Sequence, residues 1–400
     1  MGLILKSLMP AYGGYTIARE DKVIFIRGAI PGEVVEVEIE EKKRDYSIAS
    51  VKNIVEHSEY RTDPVCPVFG ICGGCQLQFI SYERQLSMKD EILLDSLNRL
   101  GGIEIVLSPV LSDSQWNYRH RAQFKVSRNG EPGFFRESSR DVVVFESCPL
   151  LKHEINTFLQ KIKGKDLVRN LNEIHIAAGD TPVALLKGRD YDTALFDAFI
   201  ETGLTGIAYN DAIAYGGAYT GFDLKGLRYT VSPWTFFQAH WALNNKVVEF
   251  IIDSLMPLEG KHVLDLYAGA GNFSIPVAVH AEEVIAVEEN QNAVDDGNRN
   301  LKLNDIKNCR IIRSSAEKYK FNRKIDVLIL DPPRSGLTSE VVKKVLENLP
   351  EQIVYISCNP ATLSRDLKKL REKYEVRSVS QIDFFPNTFH IEAVAFLRIK

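Results

Sequence analysis

Val263-Leu264-Asp265-Leu266-Tyr267-Ala268-Gly269-Ala270-Gly271-Asn272-Phe273 reads as a strand, a glycine turn and the start of a helix. Apolar residues at 263, 264 and 266 suit a strand buried on both faces of a parallel sheet. The two glycines let bare backbone approach a nucleotide. Residues 281–288 give a second strand ending in an acid, Glu288, seventeen residues after Gly271. A carboxylate so placed can accept hydrogen bonds from ribose hydroxyls. Gly-x-Gly alone is shared by dinucleotide enzymes and S-adenosylmethionine enzymes. The third glycine is replaced here by Asn272-Phe273, which disfavours a pyrophosphate clamp but leaves a dinucleotide dehydrogenase open on this segment. The fold expected for residues 231–400 is α/β and Rossmann-like.

Two more strand ends extend this reading. Residues 325–330 form a buried strand that stops at Asp331-Pro332-Pro333-Arg334, where two prolines hold the chain rigid and present Asp331 to the crevice beyond the sheet. Ile353-Val354-Tyr355-Ile356 is another, and Ser357-Cys358-Asn359-Pro360 turns at its end with a thiol exposed to the same crevice. A cysteine there can be a nucleophile. Read alone, Cys358 fits a small buried hydrophobe better.

Four hundred residues exceed one ordinary core and suggest two or three domains. Apolar content of 45% and charged content of 26% describe a soluble globular chain. Lys6, Pro10 and Gly13-Gly14 break up the N-terminal stretch, so no leader is expected, and no apolar run approaches a membrane span. The expectation is a cytoplasmic protein, monomeric, with no obligate protein partner. A net charge of −4 gives no global sign of nucleic-acid binding but allows a local basic patch.

Residues 1–57 read as a small all-β unit. Residues 35–40 alternate with period two, and the charged tip 41–45 closes a hairpin into residues 46–51. Such strands suit a barrel of oligonucleotide-binding type, or a plain structural barrel. Then come Cys66, Cys72 and Cys75, spaced C-x5-C-x2-C among glycines, with Cys148 the best distant fourth ligand. Four thiolates fit zinc or a [4Fe–4S] cluster equally. A helix over 82–100 ends at Gly101-Gly102. The rest of 58–230 reads as an α+β unit. Within it, residues 115–140 carry six Arg or Lys against two Glu, interleaved with Trp116, Tyr118, Phe124, Phe134 and Phe135. That pattern suits an RNA surface with Arg119 and Arg121 on phosphates, or a solvated strand face over aromatic core.

Taken together, these motifs resemble the RNA uracil-C5-methyltransferases that carry an N-terminal TRAM domain and an iron–sulfur cluster. The resemblance runs from Tyr12-Gly13-Gly14 and Pro31-Gly32-Glu33 through the cysteine loop, Asn117-Tyr118-Arg119, residues 232–238, 265–273, 331–334 and 357–360 to His390-Ile391-Glu392. It implies Cys358 as nucleophile and Glu392 as base. It implies that Gln238, Tyr267, Asn272 and Glu288 hold S-adenosylmethionine, with Ser315 at the adenine pocket and Asp331 between cofactor and uracil. It also selects [4Fe–4S] for Cys66, Cys72, Cys75 and Cys148. Ala268 stands where many relatives have cysteine, and Ala239-His240-Trp241 departs from their usual Val-Asn, which touches the outer cofactor wall.

The implied chemistry explains the set. Uracil C5 is a poor nucleophile until a thiolate adds at C6, and a base must then remove the C5 proton. The uracil must also leave its stack, and Phe236 can be the platform that receives it, or a core residue. Two rivals remain: a cytosine-C5 or exocyclic-amine methyltransferase, and an RNA-binding or ribosome-assembly protein with a non-catalytic methyltransferase fold. The RNA, ribosomal or transfer, and the uridine within it stay open.

Overall fold

The computed structural model describes residues 3–189 and 193–400; residues 1–2 and 190–192, which fall in the first and second expected units, lie outside the described residues. Its largest sheet has eight strands, in the order Cys309–Arg313, Glu283–Glu288, His262–Leu266, Val327–Leu330, Gln352–Ser357, Glu392–Ile399, Tyr374–Ile382 and Ser108–Leu111. The first five are parallel. Glu392–Ile399 inserts antiparallel between its two neighbours. Alternation along each strand feeds two cores. Val263, Val327, Ile329, Val354 and Val394 enter one, while Leu264, Leu328, Leu330, Tyr355 and Ala395 enter the other. The chain starts mid-sheet at His262–Leu266, builds to one edge, then resumes at Val327–Leu330 on the other side. That reversal opens a crevice at the carboxyl ends of the strands.

Ser108–Leu111 corrects the expected boundaries. It pairs in parallel with Tyr374–Ile382, and the helix Tyr82–Ser96 with its terminal turn Leu97–Gly101 packs on Pro360–Leu370. The cause is apolar: Leu93, Leu97 and Ile103 are buried in one core with Leu363, Leu367 and Leu370. So the unit expected as 58–230 is not contiguous, because residues 82–111 lie with the C-terminal sheet. The helix ends as expected, with Gly102 in the left-handed conformation at φ 61°.

The N-terminal unit is a six-stranded sheet ordered Leu3–Lys6, Val34–Lys42, Tyr46–Glu56, Val23–Arg27, Tyr15–Arg19 and Met9–Ala11. Its two edge strands are consecutive in the chain, so the sheet must curl upon itself. Leu5, Ile24, Ile26, Val35 and Val37 fill the interior. The predicted hairpin is the Val34–Lys42/Tyr46–Glu56 pair.

Between these units stands a mixed seven-stranded sheet, ordered Val142–Val144, Pro132–Phe135, Arg121–Val126, Leu171–Ala178, Pro182–Gly188, Gly206–Tyr209 and Ala212–Gly216. The helix His153–Ile162 covers it with Ile155, Phe158, Leu159 and Ile162. Among the expected aromatic faces, Tyr118 and Phe124 are buried, and Phe134 stacks on Phe124 at 5.3 Å. Those three are core, whereas Phe135 is exposed. No helix among the described residues is long and apolar enough to cross a membrane.

Candidate active site

Strand register places the reactive pair. Gln352–Ser357 and Glu392–Ile399 run antiparallel with Ser357 opposite Ala393. One step further, the same register sets Cys358 opposite Glu392. Asn359 then starts the helix Pro360–Leu370, its side chain accepting from Ala361 N at 3.0 Å. Its Nδ2 donates to Arg334 O at 3.3 Å, which ties this turn to the Asp331-Pro332-Pro333-Arg334 turn. Asp331, Arg334, Cys358 and Glu392 line one cavity of about 480 Å³.

Water exclusion dominates the electrostatics of that cavity. Burial pushes the Glu392 carboxyl up to about 8, with Asp331 adding to the shift. Burial likewise raises Asp331 to about 7. The Cys358 thiol is pushed up to about 11 by burial, then by Glu392 and Asp331. Arg334 acts in the opposite sense on both Cys358 and Glu392.

The rest of the cavity is a nucleotide cradle. Gln238, Tyr267, Asn272, Glu288 and Phe236 all line it, with Phe237, Gly269 and Asn290. Tyr267 is left-handed at φ 66°, which turns the chain sharply out of its strand. Glu288 Oε2 accepts from Gly269 N at 2.9 Å and Oε1 from Asn290 N at 2.7 Å, fixing the carboxylate at the strand end. Asn272 and Asn244 exchange hydrogen bonds at 2.7 and 3.0 Å. Gln238 is buried, yet its Oε1 has no partner. A buried unpaired acceptor beside an acid clamped for ribose is what a bound nucleoside would satisfy, so these residues fit S-adenosylmethionine. Ser315 follows the strand Cys309–Arg313, next to Ser314, whose N donates to Glu288 O at 3.0 Å, and its hydroxyl bonds Glu317. Asn290 and Ala293 line the cavity beyond Glu288.

A second cavity of about 590 Å³ adjoins the first through Phe236. Cys66, Cys72, Cys75 and Cys148 all line it, together with Arg119 and Arg121. Burial pushes the Cys75 thiol up to about 12 and Cys148 to about 11. Gly73 packs closely, and a Cβ there would lie 3.1 Å from the Glu137 backbone. No three His, Cys, Asp or Glu side chains among the described residues converge as around a single ion. The four thiols nevertheless share one cavity wall, and all six cysteines are free. Arg119 Nε and Arg121 Nη1 are buried without partners. The Arg121 guanidinium lies 5.4 Å from the Phe236 ring, and burial lowers its pKa to about 10. Phe236 itself is 65% exposed, so it is not core.

Several site residues escaped the sequence reading. Arg334 was visible beside the prolines without an assigned role. His390, two residues before Glu392, carries Nδ1 3.3 Å from Arg334 Nη2. The loop leading to Glu392 is held by pairs that no local motif reveals. Lys89 Nζ meets Asp383 Oδ1 at 2.6 Å, both buried. Asn387, left-handed at φ 65°, accepts at its carbonyl from Gln76 N and Leu77 N. Its own N donates to Gln85 Oε1 at 2.9 Å.

Residues 222–400 match the family described as tRNA (Uracil-5-)-methyltransferase, and residues 11–52 match the TRAM domain. A 23S rRNA (uracil(1939)-C(5))-methyltransferase RlmD of Legionella pneumophila (strain Paris) is 34% identical, over 97% of this chain and 95% of its own. The RlmD of Photorhabdus laumondii is 30% identical, over 96% and 93% respectively. Among solved structures, the Pyrococcus abyssi tRNA (uracil-54, C5)-methyltransferase in complex with S-adenosyl-L-homocysteine has this fold. Its TM-score is 0.78 at 23% identity, covering 99% of this chain and 100% of that one.

The burial of Glu392 has a measurable signature. Its carboxyl moves from 4.5 to about 8 on folding, so the unfolded chain ionises first as pH rises. Wild-type stability therefore falls between about pH 4.5 and 8, and Glu392→Gln, with no proton to lose, escapes that fall. Thermal melting should place Glu392→Gln above wild type at about pH 8, with the gap closing towards about pH 5. A gap independent of pH contradicts the buried carboxyl.

Proposed function

The chain belongs to the RNA (uracil-C5) methyltransferase family, and from that premise we propose how its own residues carry the reaction. The single observation that supports this most is the register that sets Cys358 opposite Glu392 at the mouth of the nucleotide cradle. The target uridine, stacked on Phe236, enters between them. Cys358 loses its proton to solvent, its thiolate sulfur bonds to C6, and the C5–C6 electron pair moves into an enolate over C4 and its oxygen. S-adenosylmethionine, when bound, supplies an electrophilic methyl group to C5. Glu392 then takes the C5 proton, the C5–C6 double bond reforms, and Cys358 leaves as thiolate. Arg334 favours that thiolate and the ionised Glu392. Asp331, raised to about 7, can donate to or accept from the uracil edge. Gln238, Tyr267, Asn272 and Glu288 hold the cofactor. Ribosomal RNA is the favoured substrate, because the full-length relatives above carry 23S rRNA names.

RNA containing 5-fluorouridine tests the nucleophile. Fluorine at C5 cannot leave as a proton, so methyl transfer proceeds and release stalls. Wild type should give a gel-stable adduct and Cys358→Ala none. Glu392→Gln should lose about a hundredfold to ten-thousandfold in turnover and accumulate adduct on ordinary RNA. Equal adduct from wild type and Cys358→Ala would sink the assignment.

The same reading gives Cys66, Cys72, Cys75 and Cys148 a [4Fe–4S] cluster. Four thiols sharing one cavity support it, and burial that opposes bare thiolates is offset by bound iron. The methyl transfer is polar and needs no electron, so a cluster held by these four cysteines would be structural, tying residues 66–75 to Cys148 beside Arg119 and Arg121. Protein purified without oxygen should be brown, with about four irons per chain. Cys148→Ser should lose the colour and bind RNA poorly, while S-adenosylmethionine affinity stays near wild type. A colourless protein with one zinc overturns the cluster.

A further inference from the structure

The N-terminal barrel packs through Tyr12 and Gly14 against the loop that leads into Glu392. Its turn between Met9–Ala11 and Tyr15–Arg19 rests on the loop that leads into Glu392. A Cβ on Gly14, whose φ is +81°, would lie 3.1 Å from Gln76 Cβ and 3.7 Å from Phe389 Cβ. Glycine is what permits that approach. Beside it, Tyr12 stands edge-on to Phe389, with centroids 5.5 Å apart at 80°. Phe389 in turn lies 4.4 Å from His390, which touches Arg334. The Tyr12 ring is still 41% exposed. Burial of its other side raises the phenol above its ordinary value, and Arg334, Cys358 and Glu392 all act on it. A barrel side chain thus shares the electrostatic neighbourhood of the nucleophile and the base.

The barrel's own core is built from other residues, Leu5, Ile24, Ile26, Val35 and Val37 among them. The Phe389 that Tyr12 touches lines the adjoining cavity together with Phe236, the exposed ring at the mouth. A uridine drawn out of its stack leaves neighbouring bases with bare faces, and single-stranded RNA is held by aromatic rings set at such points.

We propose that Tyr12 is a substrate-binding residue whose ring stacks on the RNA nucleotide adjacent to the uridine entering the Cys358 cavity. The barrel and the catalytic domain then grip one stretch of unstacked RNA, so the barrel aligns the target as well as adding general affinity. The proposal rests on the RNA uracil-C5 reading above.

A 23S rRNA fragment spanning the methylated uridine, with 5-iodouridine at the flanking positions, tests it. Ultraviolet crosslinking followed by peptide mass spectrometry should find the adduct on Tyr12. In steady-state methylation, Tyr12→Ala should raise KM for RNA about tenfold or more, with kcat and S-adenosylmethionine affinity within about twofold of wild type. Tyr12→Phe should behave like wild type, and Tyr12→Leu, which fills the space without an aromatic face, should behave like Tyr12→Ala. A Tyr12→Leu variant with wild-type KM would reduce Tyr12 to packing and overturn the proposal. Unchanged KM in Tyr12→Ala, or crosslinks only elsewhere, would also overturn it while wild-type activity left the proposed function standing. Absence of methyl transfer by wild type would remove the function and this proposal together.

Discussion

Exclusion of water from one strand-end crevice is the constraint on which the site depends. Asp331, Cys358 and Glu392 share it, and each is pushed towards its uncharged form, to about 7, 11 and 8. Burial is the first cause for all three, Asp331 adds to the rise of Glu392, and both carboxyls add to that of Cys358. Arg334 is a cation that works against all this on Cys358 and Glu392, and it sits on the rim beside His390. In these surroundings nucleophile and base both carry protons at neutral pH. A base with a pKa near 8 also suits the last step, because it binds a proton from carbon firmly while a fraction of it is ionised at neutral pH.

Holding such groups together costs stability, and the surrounding structure has to be rigid. The loop before Glu392 is pinned at its start and in its middle. At one end Lys89 Nζ and Tyr82 OH converge on Asp383, at 2.6 and 2.9 Å. In the middle, Asn387 is caught between the Gln76-Leu77 backbone, Gln85 and Gln115 O. Gln76 follows Cys75 directly, so the cysteine loop is hydrogen-bonded to the segment carrying the base. Whatever holds the cysteines therefore also steadies Glu392. This gives the proposed metal centre a role that needs no redox chemistry.

Sequence pattern read the catalytic sheet well because its signals are local. A strand, a glycine turn and an acid at the next strand end occupy residues 263–288, and the strands expected over 281–288 and 325–330 end as expected at Glu288 and Leu330 though each begins two residues later. Cys358 and Glu392 were nameable from their motifs, but their being opposite each other is a property of an antiparallel insertion, which only the sheet order reveals. The support was not legible at all. Lys89 and Asp383 are separated by 294 positions, and a lone lysine in a helix reads as solvent-facing. The basic, aromatic segment 115–140 misled in part, because charge alternating with rings describes an RNA face and a strand over its core equally well. Tyr118 and Phe124 proved to be core, whereas Arg119 and Arg121 turned inward to the cysteine cavity. Ser315 was carried by position in a variable stretch, at a strand end where Ser314 N donates to Glu288 O at 3.0 Å.

The central claim is that the ionised form of the buried Glu392 removes the C5 proton from an adduct on Cys358. Single-turnover reactions with RNA tritiated at uracil C5 measure that step directly. The tritium-release rate should climb about tenfold per pH unit and level off near pH 8, following the ionisation of Glu392. A flat profile from about pH 6 to 9, or undiminished release by Glu392→Gln, would contradict it.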